Sequence, residues 1–248
     1  NTRGPGVYRF DYTVLSKNLI CPNKMSTVNV ILEKQLDFTG ATLDLIPPIC
    51  ENEINTAIPI AADFIQGTQN IPDGLYDITY TISGVPLPIT VRESFVNGKL
   101  TLLMKSSYFT KSGNYTIAIV NIVRKDATGI CTIVIPTISN VLAVLPIPKI
   151  NEGTLSIDPI CKGFAAAVEI SGTTNLTDGD YSIIFNLFGS NTATAEQAAL
   201  KVTNGVGNFS IRPSLIPNAG NTTLSITKIT NVATSCSNTS SLTKVFVI

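Results

Sequence analysis

The chain has no histidine, no tryptophan and only two methionines, and charged residues make up 14% of its 248 positions. Without imidazole there is no His general base and no His-ligated metal site. Seventeen Lys+Arg balance seventeen Asp+Glu. The basic surplus that binding a phosphate backbone requires is therefore missing, and nucleic acid is excluded as a partner. No apolar run reaches the roughly 20 residues of a membrane-spanning helix, so membrane insertion is not expected. There is no Gly-x-Ser-x-Gly and no glycine-rich phosphate loop, and no cofactor is expected. The chain opens on Asn1, without a start methionine or apolar leader, and reads as an internal piece of something longer.

What is abundant is β-branched: 31 Ile, 30 Thr and 18 Val. These residues are stiff at χ1 and favour strands. With a mean hydropathy of +0.30, the chain is too apolar and too weakly charged to be disordered. An all-β fold follows.

The sequence repeats itself. Gly153-Thr154-Leu155-Ser156-Ile157-Asp158-Pro159-Ile160-Cys161 echoes Gly40 to Cys50, which ends in Pro48-Ile49-Cys50. Ile71-Pro72-Asp73-Gly74-Leu75-Tyr76 matches Leu176-Thr177-Asp178-Gly179-Asp180-Tyr181, and Ser112-Gly113-Asn114-Tyr115 matches Ala219-Gly220-Asn221-Thr222. A period of about 105–111 residues is one immunoglobulin-sized unit. The expected units are residues 39–149 and 150–248, with residues 1–38 the closing strands of a preceding, incomplete repeat. The five cysteines follow the same period, one early and one late in each unit. Cys50 is expected to pair with Cys131, and Cys161 with Cys236, each bond within its own repeat. Cys21 is left as a late cysteine whose early partner lies upstream. Disulfides in turn imply an oxidising compartment. The junctions, Leu36–Gly40 and Ile147–Gly153, are short and apolar. They are expected to pack between neighbouring sandwiches and hold them end to end.

Period-2 alternation marks the strands. Tyr76, Ile78, Tyr80 and Ile82 share one face; Tyr181, Ile183, Phe185 and Leu187 share another; so do Tyr115, Ile117 and Ile119. Alternation slips at Lys228–Ile229, a bulge signal. Asp73-Gly74 and Asp178-Gly179 read as turns opening strands, and Asn97-Gly98 and Asn204-Gly205 as hairpin tips. Thr194–Leu200 is a short helix candidate, and a helical turn is expected near Pro213–Ile216. Turn signals every 8–12 residues and about seven strands per repeat fit tandem Ig-like β-sandwiches. The Ig pattern itself is not met, because there is no Trp to pack on the bridge.

Candidate sites are few. Asp73, Asp77, Asp178 and Asp180 gather around the repeated turn, where Ca²⁺ ligation competes with ordinary Asp turn chemistry; the turn reading is preferred and no metal is expected. Tyr8, Phe10 and Tyr12 alternate as a sugar-stacking row or, more simply, as an inner strand face; the inner face is preferred. Five Asn-x-Ser/Thr tripeptides, at Asn114, Asn175, Asn208, Asn221 and Asn238, are what an Asn- and Thr-rich chain supplies by chance. The one asymmetry between repeats is the insertion from Phe64 to Asn70. Its residues Phe64, Gln66, Gln69 and Asn70 form the candidate ligand loop.

The order of motifs is Pro-Ile-Cys, Asp-Gly-x-Tyr, an Asn-Gly hairpin, a Gly-Asn turn and a late Cys. It resembles the tandem Ig-like repeats of large Bacteroidetes cell-surface adhesins, including those of flavobacterial gliding motility. The resemblance implies type IX export and display on the outer face of the outer membrane. It also implies service as non-enzymatic stalk repeats whose partners are neighbouring repeats of the same chain. The alternative is a module that binds polysaccharide or substratum through the Phe64–Asn70 loop.

Overall fold

The computed structural model describes residues 4–17, 22–33, 35–45, 47–54, 56–125, 135–173 and 176–248. Apart from three single turns of 3₁₀-helix, its regular structure is all strand, as the β-branched composition predicts. The first two strands, β1 (Gly6–Val14) and β2 (Lys24–Leu32), form an antiparallel hairpin. Strands β3 (Thr42–Leu45), β5 (Ile60–Ile65) and β8 (Lys99–Met104) make an antiparallel three-stranded sheet. A five-stranded sheet runs in the order β4 (Ile49–Cys50), β10 (Ile138–Leu145), β9 (Gly113–Arg124), β6 (Gly74–Ile82), β7 (Ile89–Phe95). The remaining strands join in one eight-stranded sheet. They are β11 (Thr154–Ser156), β12 (Ala166–Ser171), β13 (Gly179–Gly189), β14 (Ala193–Thr203), β15 (Val206–Ile211), β16 (Asn221–Asn231), β17 (Ser237–Thr239) and β18 (Thr243–Val247).

These strands pack as two compact units, neither of which is a continuous stretch of chain. One is built from Asn1–Ile46, Ile60–Met104 and Thr116–Val141, the other from Pro47–Pro59, Lys105–Tyr115 and Leu142–Ile248. In the first unit Tyr76, Ile78, Tyr80 and Ile82, one face of β6, are all buried. Opposite lie Leu43, Phe64, Leu100, Leu102 and Met104 of the three-stranded sheet, also buried. Edge-on ring contacts knit the two faces: Phe38 to Phe64, Phe64 to Phe95 and Phe95 to Tyr76, with centroids 5.7, 6.1 and 5.8 Å apart. In the second unit the core gathers Tyr181, Ile183, Phe185 and Leu187 of β13 with Val168 and Ile170 of β12, Phe209 and Ile211 of β15, and Leu224 and Ile226 of β16. At about 25 cal/mol per Å² of apolar surface removed from water, such faces dominate the stability of a β-sandwich. Each junction residue is part of its own unit's core: Phe38 stacks on Phe64 in the first, and Ile150 belongs to the core of the second.

The repeat extends to irregular backbone. Thr79 pairs with Asn121 and Tyr80 with Ile119, so Val120 is an extra residue on β9. Ile184 pairs with Lys228 and Phe185 with Ile226, so Thr227 is the extra residue on β16. The bulge that the slipped alternation signals therefore falls one residue before Lys228. Asn97-Gly98 and Asn204-Gly205 are hairpin tips with both central residues at positive φ (52° and 79°, 51° and 75°), which suits the right-handed strand twist.

Thr194–Leu200 is not helix but part of strand β14. Seven residues are too few to hold a helix without packing, and here they pair with β13 across a bulge. The cost of the bulge is a left-handed Ala195, φ 54°, whose N–H donates to Asn186 Oδ1 at 2.8 Å. The expected turn at Pro213 is present as 3₁₀-helix over Pro213–Leu215.

A local device recurs that the sequence reading passed over. Four tyrosines follow a glycine by two residues: Tyr8, Tyr76, Tyr115 and Tyr181. Each hydroxyl donates to the carbonyl four residues back. Tyr76 reaches Pro72 O at 2.9 Å, Tyr115 Lys111 O at 2.9 Å, Tyr181 Thr177 O at 2.8 Å, and Tyr8 reaches Gly4 O. The glycines Gly6, Gly74, Gly113 and Gly179 have φ from 147° to 157°, a conformation in which a side chain is strained. Glycine turns the chain into the strand and the tyrosine ties the incoming loop to it, as in the tyrosine corner of β-sandwiches. At the fifth such position Thr222 stands for Tyr, and its buried hydroxyl accepts from Asn191 Nδ2 at 2.8 Å. Tyr181→Phe is expected to lower stability by about 1 kcal/mol, and Gly179→Ala by at least as much, read as a shift in urea midpoint at unchanged m-value.

Candidate functional site

The feature with most covalent consequence is a disulfide. Ile49 and Cys50 lie parallel to the end of β10, opposite Val144 and Leu145. The chain then turns through 3₁₀ residues Glu51–Glu53, with Cys50 N–H donating to Glu53 Oε2 at 2.6 Å. Cys236 is set by a tight turn organised by Asn231. The Asn231 side-chain oxygen accepts from the N–H groups of Ala233 and Thr234, its carbonyl accepts from Ser235, and Ser235 takes a φ of 61°. Cys236, fully buried, bonds to Cys50 with the Cα atoms 5.5 Å apart across a sequence separation of 186. Beside the bond Asn52 Nδ2 donates to Ser237 O at 3.2 Å, and Lys149 Nζ lies 3.5 Å from Glu51 Oε2.

The expected pairs, Cys50 with Cys131 and Cys161 with Cys236, are therefore corrected. The physical reason lies in how the units are assembled. Residues 47–59 belong by sequence to the 39–149 repeat but pack in the same compact unit as Cys236. Cys161 is free and exposed, while Cys21 and Cys131 lie outside the described residues. In the chain-entropy account, closing a 186-residue loop is worth about 5 kcal/mol, against about 4 for a loop of 80.

A cleft of about 420 Å³ opens near the bond, lined by Glu51, Ser112, Pro148, Lys149, Tyr181 and Thr234 among others. Its one carboxylate, Glu51, is paired with Lys149, and the Tyr181 hydroxyl is engaged with Thr177. Among the described residues no three His, Cys, Asp or Glu side chains converge, and no helix is long and apolar enough to cross a membrane.

The repeated aspartates serve the loops. Asp73 Oδ1 accepts from Asn97 N–H at 2.9 Å, and Asp178 Oδ1 from Gly205 N–H at 3.1 Å. Each Asp-Gly turn thus fastens the Asn-Gly hairpin tip of its own repeat. That is turn chemistry reaching across to a neighbouring turn. Asp77 is bound by Arg92 through both carboxylate oxygens, at 2.7 and 3.2 Å, and by Lys125 at 3.1 Å. The hydrogen bond from Arg92 is the main reason its carboxyl is held down at about 2.

Of the expected ligand-loop residues, Phe64 is not accessible. Phe64 is wholly buried between Phe38 and Phe95. Gln66 takes the N–H of Ile71 on its side-chain oxygen, and its own backbone N–H donates to Gly98 O. Gly67 passes so close to Thr39 and Gly40 that a Cβ would sit 2.1 Å from Thr39 O. Gln69 is half-buried and Asn70 exposed. The insertion is an extension of strand β5 and a packed turn, which alternation alone does not separate from a protruding loop. Conversely, the Tyr8, Phe10, Tyr12 row is not an inner face here: Phe10 and Tyr12 remain 50% and 49% exposed.

No protein-family model matches the chain, and no curated protein matches it. Among solved structures, the FN1–FN3 domains of chicken CNTN1 are similar over 96% of this chain and 77% of that one, at 10% identity and a TM-score of 0.41. The I-band fragment I67–I69 of titin is similar over 98% and 74%, at 14% identity and a TM-score of 0.34. The α2-macroglobulin of Escherichia coli is similar over 98% and 24%, at 12% identity and a TM-score of 0.28. Likenesses this weak add nothing to what the sheets themselves show.

Two outcomes are expected. Cys50→Ser and Cys236→Ser should each lower stability by about 2–5 kcal/mol, and the double variant should lose no more than either single one. Separate bonds within each repeat would instead give additive losses. Asp77 has its folded pKa depressed, so its contribution is present above about pH 4 and is lost as pH falls through about 2. Asp77→Asn should therefore be less stable than the parent at pH 6, with the gap closing below pH 3 in thermal melts followed by circular dichroism.

Proposed function

We propose that the chain is a non-enzymatic stalk segment of a secreted cell-surface adhesin. In this reading its repeats stand end to end and project a distal adhesive region. The observation that supports this most is the Cys50–Cys236 bond. It ties the early cysteine of one sequence repeat to the late cysteine of the next within one compact unit, a covalent cross-link of the fold. The short apolar junctions around Phe38 and Ile150, both buried, support it too, since a Gly/Ser tether would leave neighbours free. A disulfide of this kind suits an oxidising, extracytoplasmic location. Service in a gliding-motility adhesin, with type IX export, is the finer form of the reading and follows from the motif resemblance. Its partners are then neighbouring repeats.

Small-angle scattering tests the stalk. A compact 248-residue globule has a radius of gyration of about 18 Å. The oxidised chain is expected to lie clearly above that, with a narrow cross-section, and its distance distribution should broaden on reduction of the bond. A radius near 18 Å would overturn the reading.

A further inference from the structure

The β1–β2 hairpin carries an apolar face that the described residues leave open. Phe10, Tyr12 and Val14 of β1 and Val28, Val30 and Leu32 of β2 lie on one side of it, each between 40% and 58% exposed. The centre of the other side is polar, with Asp11 bound by Arg9 at 3.0 Å and by Thr27 at 2.6 Å. Two strands alone are marginal in water, and among the described residues β1 pairs with no strand but β2. The chain shows twice what belongs beside it. Gly6-Val7-Tyr8 opens β1 as Gly113-Asn114-Tyr115 opens β9 and Gly220-Asn221-Thr222 leads into β16. The pairing of Gly6 with Leu32 has its counterpart in Gly220 and Ile248, which exchange both backbone hydrogen bonds. On its other edge β9 takes β6, and β16 takes β13. Each of those partners opens Gly-x-Tyr, and the inner side chains Ile117, Ile119, Leu224 and Ile226 are buried beside them.

We propose that the outer edge of β1 is an acceptor site for one antiparallel strand of the β6 and β13 type, supplied by a further repeat of this kind. The inference rests on the stalk reading and names the surface by which a neighbouring repeat is held. A second copy of this chain does not supply the strand, because its β6 and β13 are already paired on both edges. The occupant is a Gly-x-Tyr strand whose own closing strands are not in place. Register follows from equivalence. Ile82 lies opposite Ile117, and Leu187 opposite Leu224. The matching apolar residue of the incoming strand therefore lies opposite Phe10, and the residue two before it opposite Tyr12. Ser83 N–H donates to Thr116 O, and Ser190 N–H to Asn221 O. By the same equivalence Arg9 and Val7 offer their carbonyls to the incoming strand. Main-chain bonds then supply affinity, and the alternate apolar side chains supply specificity.

The probe is a synthetic peptide of the β13 sequence, Gly179–Gly189, carrying a charged solubilising tail. It is titrated into the oxidised chain and followed by fluorescence anisotropy and by amide hydrogen exchange. The expected result is saturable binding of one peptide per chain, with exchange at Val7, Arg9 and Asp11 slowed by about tenfold or more. Placing Phe185→Asp and Leu187→Asp in the peptide should weaken binding by about tenfold or more. In the chain, Asp11→Pro removes an edge N–H and should abolish binding at unchanged thermal melting of the two cores, whereas Asp11→Asn keeps the N–H and should bind as the parent does. No saturable binding, protection away from β1, equal binding by the Asp peptide or by Asp11→Pro, or self-association of the chain through β1 would overturn the proposal. Scattering separates the two readings: an elongated chain that takes no strand keeps the stalk and discards the acceptor site, and a compact chain that binds the peptide in this register does the reverse.

Discussion

Everything in this chain follows from one requirement: a strand with an apolar face has to lay it against other strands that cover it. With charged residues at 14%, few of the strands can afford two wet faces. Tyr76, Ile78, Tyr80 and Ile82 meet the three-stranded sheet, and Tyr181, Ile183, Phe185 and Leu187 meet β12 and β15. Because the side-chain period of a strand is two, a slip of one residue would turn all four inner side chains outward. The Val120 and Thr227 bulges show how strictly register is held: each inserts its extra residue without moving Ile119 or Ile226 off the inner face. The β1–β2 hairpin is the exception. Tyr8, Phe10 and Tyr12 stand in the frame of Tyr115, Ile117 and Ile119, which are buried, yet Phe10 and Tyr12 stay half exposed.

Register also has to be fixed at the strand ends, where no core exists to fix it. Here the chain uses polar devices that repeat with the sequence. The Asp of each Asp-Gly turn holds the neighbouring Asn-Gly tip, so two loops are fastened by one carboxylate. Three residues after that Asp the tyrosine hydroxyl anchors the incoming segment. A hydrogen bond of this kind is worth only about 1 kcal/mol net. Its structural value is positional, since it selects one loop path among many of similar energy.

Much of this was legible in the residues. The all-β class, the inner faces, the hairpin tips and the bulge on the last long strand all follow from period-2 alternation and from dipeptides that suit a single turn type. What the sequence hid was of two kinds. Thr194–Leu200 has the composition of a helix, and only pairing with β13 makes it a strand; local propensity is a weak prior that tertiary contact overrides. Phe64 looked like part of a loop because the insertion follows it directly, but it closes an aromatic chain from Phe38 to Tyr76. The Gly-x-Tyr corners were legible all along, at four places, to a reader who asked why glycine precedes each tyrosine by two.

The disulfide was the least legible feature, and the reason is general. A period in the sequence shows which cysteines are equivalent; it does not show which of them are near one another. Spacing of about 80 residues within a repeat and of 186 between repeats are both compatible with a 105–111-residue period, and entropy slightly favours the longer loop. Proximity is set by packing, and packing groups residues 47–59 with the strands after 142. Once Cys50 lies beside the turn that Asn231 organises, the bond follows from distance. The bond thus restrains two stretches that are 186 positions apart in the sequence but belong to one compact unit, and its entropic weight comes from the length of the loop that it closes.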